Sequence, residues 1–216
     1  MVDGTLWRAR RHGQPINPTR TYPGLASRVI LTGMTSFALG TLTAVAVADQ
    51  PHLVAAPTAN LIVELGWGEL LGAVAIDPTL SDTGNFVAAF DLTDDLAANC
   101  VIVSGQRNGE ERVAACVVLA NTRADINTVV RKRLDVRKAS FMPLDDAVVR
   151  TGMEYGGITP IGLPREWPIL IDSRVVEAGL LTLGAGIRAS KIIVPGALLA
   201  DLPGAEVVEG LARPIA

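Results

Sequence analysis

Two apolar runs, Asn99 to Val103 and Val113 to Leu119, flank the segment Gln106-Arg107-Asn108-Gly109. An Asn-Gly pair between such runs is a strong hairpin signal, because both residues tolerate the positive φ values that a tight turn of the right twist demands. A hairpin with arms this apolar needs further strands beside it and cover on its faces. The pair therefore commits the chain to a sheet. Cys100 and Cys116 lie symmetrically about Asn108, which leaves open a cross-strand bridge or, the favoured alternative, two reduced core thiols.

The remaining segments are short and alternate in type. Leu39 to Ala48 reads as a strand, and Pro57 followed by Ala59, Leu61, Ile62 and Leu65, with Gly66 next, reads as a helix with an early proline and a glycine stop. Gly72 to Ile76 is a buried-strand pattern, and Asp82 or Ser81 caps a helix carrying Phe86, Val87 and Phe90. Asp125 caps another, with Ile126, Val129, Val130 and Leu134 on one face, and Pro143 to Gly152 forms a short helix with Asp145 and Asp146 at its positive end. Strands follow at Ile169 to Ile171, Leu180 to Leu183, Lys191 to Val194 and Val207 to Glu209, with helical turns at Ser173 to Ala178 and Pro195 to Leu202. This alternation predicts an α/β or α+β domain: a mixed, largely antiparallel central sheet flanked by short helices. At 216 residues the chain suits one such domain, and 49% hydrophobic content with only 4% aromatic means a core of Val, Leu, Ile and Ala.

Residues 1–33 differ from the rest. Arg8, Arg10, Arg11, Arg20 and Arg28 alternate with Pro15, Pro18 and Pro23 without apolar periodicity, which reads as a disordered basic extension. The basic start, the apolar stretch Val29 to Val47 and Ala46-Val47-Ala48 also imitate a signal peptide with its cleavage site, although Thr, Ser and Gly interrupt the stretch. No run of 18 or more apolar residues exists to cross a membrane.

The segment with the most chemical promise is Tyr155-Gly156-Gly157-Ile158-Thr159-Pro160-Ile161-Gly162-Leu163-Pro164, three glycines and two prolines in ten residues. Such a loop can aim several backbone N–H groups at one spot, which suits a carboxylate, a phosphate or a developing oxyanion; its plain alternative is a rigid turn. Side-chain nucleophile systems are poorly supported. The two histidines, His12 and His52, stand in the basic arm and a Gln-Pro-His linker, there is no Gly-x-Ser-x-Gly elbow, and Cys100 lies within an apolar strand. Two histidines and two cysteines without close spacing argue against a metal site, and Gly184-Ala185-Gly186 is too weak a pattern for a dinucleotide cofactor. Net charge is −3, so any nucleic-acid contact needs a local patch. Arg131, Lys132, Arg133, Arg137 and Lys138 form one, readable as a solvated helix face or as phosphate contacts.

The run from Thr151 to Pro164 resembles the glycine–proline loop of the YbaK/prolyl-tRNA synthetase-associated domain family. The resemblance extends to Ala98-Asn99-Cys100-Val101-Ile102-Val103, to Asp172, to Gly184-Ala185-Gly186-Ile187-Arg188 and to the ending Pro195 to Leu211. It spans roughly Gly40 to Leu211, and implies a start near Phe37, with Met34 as an alternative first residue and a domain over 34–216. It further implies a cytoplasmic aminoacyl-tRNA deacylase that needs no cofactor and no metal, and is not membrane-bound. Its partners would be the acceptor end of an aminoacyl-tRNA and an aminoacyl-tRNA synthetase. By this resemblance Gly156, Gly157, Thr159, Gly162 and Asn99 carry the catalytic role. Ile158, Pro160, Asp172, Gly184, Gly186 and Arg188 line the substrate, and Arg131, Lys132, Arg133 and Lys138 contact tRNA. Where the family places a substrate-binding lysine, this chain has Asn99. Arg188 and Lys191 are the alternative sources of charge, and a protein that binds without hydrolysing is the alternative function.

Overall fold

The computed structural model describes residues 28–31 and 34–215. Two sheets and a small ribbon carry the chain. The first sheet joins β1 (Arg28–Leu31), β2 (Met34–Leu39), β3 (Leu42–Ala46), β4 (Gly72–Ala75), β11 (Ser190–Pro195) and β10 (Leu180–Gly184), in that order and antiparallel throughout. The second has the order β12 (Ala205–Val208), β9 (Ile169–Asp172), β6 (Glu110–Leu119), β5 (Ala98–Arg107), β8 (Ala139–Phe141). Its β12, β9 and β6 run parallel while β6, β5 and β8 alternate. A ribbon of β7 (Thr122–Ala124) and β13 (Ala212–Pro214) completes the set, and a bridge from Ala97 to Thr182 joins the two sheets. The mixed α/β class is as the sequence predicts. The single central sheet is instead two sheets that share a core.

That core lies between the sheets. Ile102, Ala115, Val117, Ile169 and Ile171 from one face meet Ala73, Leu181, Leu183, Ile192 and Val194 from the other, and α1 (Ala56–Leu65) adds Leu61 and Ile62. The outer face of the six-stranded sheet is covered by α2 (Thr83–Ala89) through Phe86 and Val87. The outer face of the five-stranded sheet is covered by a helical turn over Ile126–Val130 and α3 (Arg131–Arg133), which lay Val130 and Leu134 against Val103, Ala114 and Cys116. Helix ends follow the punctuation: Gly66 stops α1 and Gly152 stops α4 (Leu144–Thr151), both left-handed, and Asp82 caps α2 by accepting from the N–H of Gly84 and Asn85.

The hairpin forms at Asn108 and Gly109, with φ of 53° and 86°. Because the centre of a two-residue turn falls between its residues, Cys100 pairs with Val117 and Cys116 with Val101. Neighbouring positions on a strand face opposite ways, so the two thiols sit on opposite faces of the sheet and both are free. The bridge left open by the sequence is excluded by this register. Of the basic extension expected over 1–33, residues 1–27 and 32–33 lie outside the described residues, and Arg28–Leu31 is an edge strand rather than an irregular arm. The stretch that imitates a signal peptide supplies the first three strands, with Phe37, Leu42, Ala44 and Ala46 buried. Among the described residues no helix is long and apolar enough to cross a membrane.

Candidate functional site

The glycine–proline loop is clamped against the turn between β10 and β11. Glu154 N–H donates to the Gly186 carbonyl at 2.8 Å, Gly186 N–H to the Gly157 carbonyl at 2.7 Å, and Arg188 N–H to Glu154 Oε2 at 2.6 Å. This clamp requires bare backbone on both sides. A Cβ on Gly184 would lie 2.3 Å from the Gly157 carbonyl oxygen, and one on Gly157 would lie 2.7 Å from the Ile187 carbonyl. Gly162, at φ 95°, presses on the first turn of α1, where a Cβ would meet the Pro57 oxygen at 2.4 Å. Loop, turn and helix start are thus one rigid assembly.

Within it, some donors are used and some are free. Gly157 N–H is held by the Glu154 carbonyl and Thr159 N–H points at Met153 Sδ. The N–H groups of Gly156, Ile158 and Gly162 meet no acceptor among the described residues. Gly156 is exposed, Ile158 half-buried, and Thr159 and Pro160 are buried behind them. The hydroxyls of Thr58 and Thr159 are buried without a partner, and Thr58 Oγ1 lies against Gly186. Of the three buried side-chain polar atoms without a partner among the described residues, these two hydroxyls belong to the loop and to the start of α1 that it presses on.

One side of the region is formed by residues 77–83. Asp77 accepts from Thr79 N–H and so orders a single 3-10 turn over Pro78–Leu80, which delivers Ser81 next to Gly156. Thr83 Oγ1 donates to Asn99 Oδ1 at 2.6 Å, fixing the asparagine on the first residues of β5 with its amide NH₂ unpaired among the described residues. Arg188 Nε donates to the Pro78 carbonyl at 3.1 Å while its guanidinium stands 5.5 Å from the centre of the Tyr155 ring. Lys191 Nζ donates to the Ser81 carbonyl at 3.0 Å and lies 5.2 Å from the Phe86 ring centre, with the residue only 6% exposed. Burial pushes the Lys191 pKa down from the usual lysine range, and Asp82 works against that shift. Gly156, Arg188 and Asn99 therefore meet segment 77–83, while Gly157, Ile158, Gly184 and Gly186 belong to the clamp beside it.

The sequence model of the aminoacyl-tRNA editing domain matches residues 77–202. The chain belongs to the aminoacyl-tRNA editing domain family. The matched span opens at Asp77, the residue that orders the turn before Ser81, and it holds the whole clamp except the start of α1. Two solved structures share the editing-domain fold. A hypothetical protein is 18% identical with a TM-score of 0.63, over 73% of this chain and 99% of its own. A protein described as a candidate trans-editing enzyme for prolyl tRNA synthetase is 15% identical with a TM-score of 0.61, over 71% of this chain and 93% of its own.

Two groups of residues lie apart from the clamp in this editing domain. Asp172 is 1% exposed and caps α5 (Ser173–Glu177). Its two oxygens accept from Arg174 N–H, Arg174 Nε and Nη2, and Ala212 N–H, at 2.7 to 3.1 Å. Burial alone would raise the Asp172 pKa, but these bonds and the Arg174 charge outweigh it and hold the carboxyl below its usual value. Asp172 is a joint between β9 and β13, with Arg174 and Ala212 as its partners. Arg131, Lys132, Arg133 and Lys138 belong to the segment packed on the outer face of the five-stranded sheet, whereas Ile161 and Leu163 of the loop belong to the core between the sheets. Arg133 pairs with Glu206 and Arg131 Nε donates to the Asn127 carbonyl, while Lys132 and Lys138 are exposed. The sequence did not single out Thr58, Ser81 and Thr83 as neighbours of the loop; a Ser-Asp-Thr run before a helix carries only a capping signal.

Proposed function

We propose that the protein hydrolyses the ester bond of mischarged aminoacyl-tRNA, holding the ester carbonyl on the glycine–proline loop. The observation that carries this reading is the pair of unpartnered N–H groups at Gly156 and Ile158 on a loop braced from both sides. When water attacks the ester, negative charge collects on the carbonyl oxygen. Donors already fixed in place stabilise it without reorganising, and each is worth about 10²- to 10³-fold in rate. Gly157 and Thr159, whose own N–H groups are engaged, set the loop's shape, and Gly162 ties it to α1. Arg188 and Tyr155 form the rim on which the substrate's terminal nucleotide rests. Asn99 offers its free amide NH₂ to the aminoacyl group. The attacking water is activated by the ribose hydroxyl of the substrate itself, so the chain needs no basic side chain at this position.

Arg131, Lys132, Arg133 and Lys138 are proposed as phosphate contacts for the tRNA away from the ester, seen as a salt-dependent binding term. One observation favours a second reading, capture of an aminoacyl end without turnover: Asn99 is neutral and its oxygen is committed to Thr83. The discriminating experiment presents tRNAs charged with Ala, Ser or Cys to the wild-type chain and to Asn99→Lys. Amino acid release by the wild type supports the deacylase. Release by the lysine variant alone supports the binder. Silence from both, with the fold intact, refutes the ester site.

A further inference from the structure

Lys191 is a charged side chain in a place that its strand neighbours would fill with carbon. β11 is buried along its whole length, with Ile192, Ile193 and Val194 beside it. In register Lys191 stands between Val74 of β4 and Gly184 of β10. Residues directly opposite in an antiparallel pair share a face. Gly184 contributes nothing to that face except room, and the Gly157 and Ile158 carbonyls occupy part of it. The lysine stem runs over this gap beside Phe86 and ends at the Ser81 carbonyl, next to Gly156. Of three N–H donors on the ammonium, one is used among the described residues. Its nearby charges are Asp82 at the start of α2 and, on the far side of Gly156, Arg188. An ammonium taken out of water costs several kcal/mol unless it is fully paired, and an apolar side chain of the same size commonly replaces it without loss of stability. The Ser81 carbonyl, the Phe86 face and the charge of Asp82 compensate only in part, and two of the ammonium's N–H donors stay unpaired among the described residues.

We propose that Lys191 is the cation of the ester site and donates from Nζ to the carbonyl oxygen held on the loop as negative charge gathers there. This rests on the deacylase reading and deepens it: the charge absent from β5 at Asn99 is supplied from β11, across the same segment 81–83. No bond to Lys191 forms or breaks. The ammonium keeps its proton and neutralises the oxyanion until the ribose oxygen leaves.

The test compares wild type, Lys191→Met and Lys191→Met with Asn99→Lys on a mischarged tRNA, with thermal unfolding of each. A catalytic cation predicts that Lys191→Met melts no lower than wild type while kcat falls about 10²- to 10³-fold with little change in KM. Asn99→Lys then restores at least about tenfold of the loss. Activity of Lys191→Met within about threefold of wild type overturns the proposal and leaves the deacylase reading standing. If wild type itself releases nothing, the deacylase reading fails instead. Binding of a non-hydrolysable 3′-aminoacylamino adenosine then decides for Lys191: affinity lost on Lys191→Met upholds a ligand-binding cation, and affinity kept overturns it. Should Lys191→Met not fold, the Lys191 Cε resonance of the wild type is followed as that analogue is added. A shift on saturation supports the contact, and an unmoved resonance refutes it.

Discussion

Gly184→Ala is a sharp perturbation of the loop that removes no polar group. Gly184 does not have a positive φ, so alanine fits its backbone and the whole effect is steric. The new methyl would stand 2.3 Å from the Gly157 oxygen and 2.7 Å from the Ile158 oxygen, where real Cβ atoms keep at least 3.0 Å. The loop must therefore retreat by at least about 0.7 Å, and the Gly157 carbonyl also loses its 2.7 Å bond from Gly186 N–H. Overpacking of this size costs about 1–3 kcal/mol of stability. A displacement approaching 1 Å in groups that position a reacting atom costs about 10²-fold in rate. Gly109→Ala is the control. At the hairpin tip, with φ 86° and nothing within 4 Å, it costs about 1–2 kcal/mol of backbone strain and does not touch the loop. Single-turnover release of amino acid from a mischarged tRNA, beside urea unfolding of each variant, separates the two effects. Gly184→Ala falls about 10²-fold in rate and Gly109→Ala does not, at similar losses of stability. A folded Gly184→Ala with unchanged rate would refute the placement of the ester on this loop.

Two further outcomes test the rest of the account. Asp172→Asn removes the charge that Arg174 and Ala212 N–H share and lowers stability by about 2–3 kcal/mol, measured by urea unfolding at neutral pH. Because the folded carboxyl titrates below its unfolded value, its contribution is complete above about pH 4 and fades as pH falls through the folded pKa. The variant loses that part of the acid limb, and an unaltered acid limb would contradict the joint at Asp172. Burial pushes both thiols up, Cys116 to about 12, so a thiol reagent at neutral pH leaves the fully buried Cys116 unlabelled until the protein unfolds. A Cys100–Cys116 disulfide formed in the folded state would show that the hairpin register is wrong.

The parts of the fold that sequence made legible are those governed by local chemistry. Asn108-Gly109 gave the hairpin, Gly66 and Gly152 the helix stops, and Asp82 the cap, each because one residue type satisfies one backbone demand. The register differs by one position from a symmetry about Asn108, because a two-residue turn is centred on the bond that follows it. The division into two sheets was not legible, since β11 reaches β4 across more than a hundred residues and nothing local selects that pairing. Asp172 at the end of a strand reads as a residue that orders nearby backbone, but its partners Arg174 and Ala212 are not legible, because Ala212 lies forty residues on. The loop glycines were legible as a group. Their reason was not, because it lies in the backbone of Ile187 and Pro57, distant in sequence. Lys191 read as one polar residue opening a strand, and its burial follows from the room left by Gly184.

The most direct test of the central claim is multiple-turnover release of amino acid from mischarged tRNA by the purified wild-type chain. The account predicts release of several equivalents per protein from at least one of the Ala-, Ser- and Cys-charged substrates, lost in Gly184→Ala. Release no faster than in buffer for every substrate, by protein shown to be folded, would contradict it.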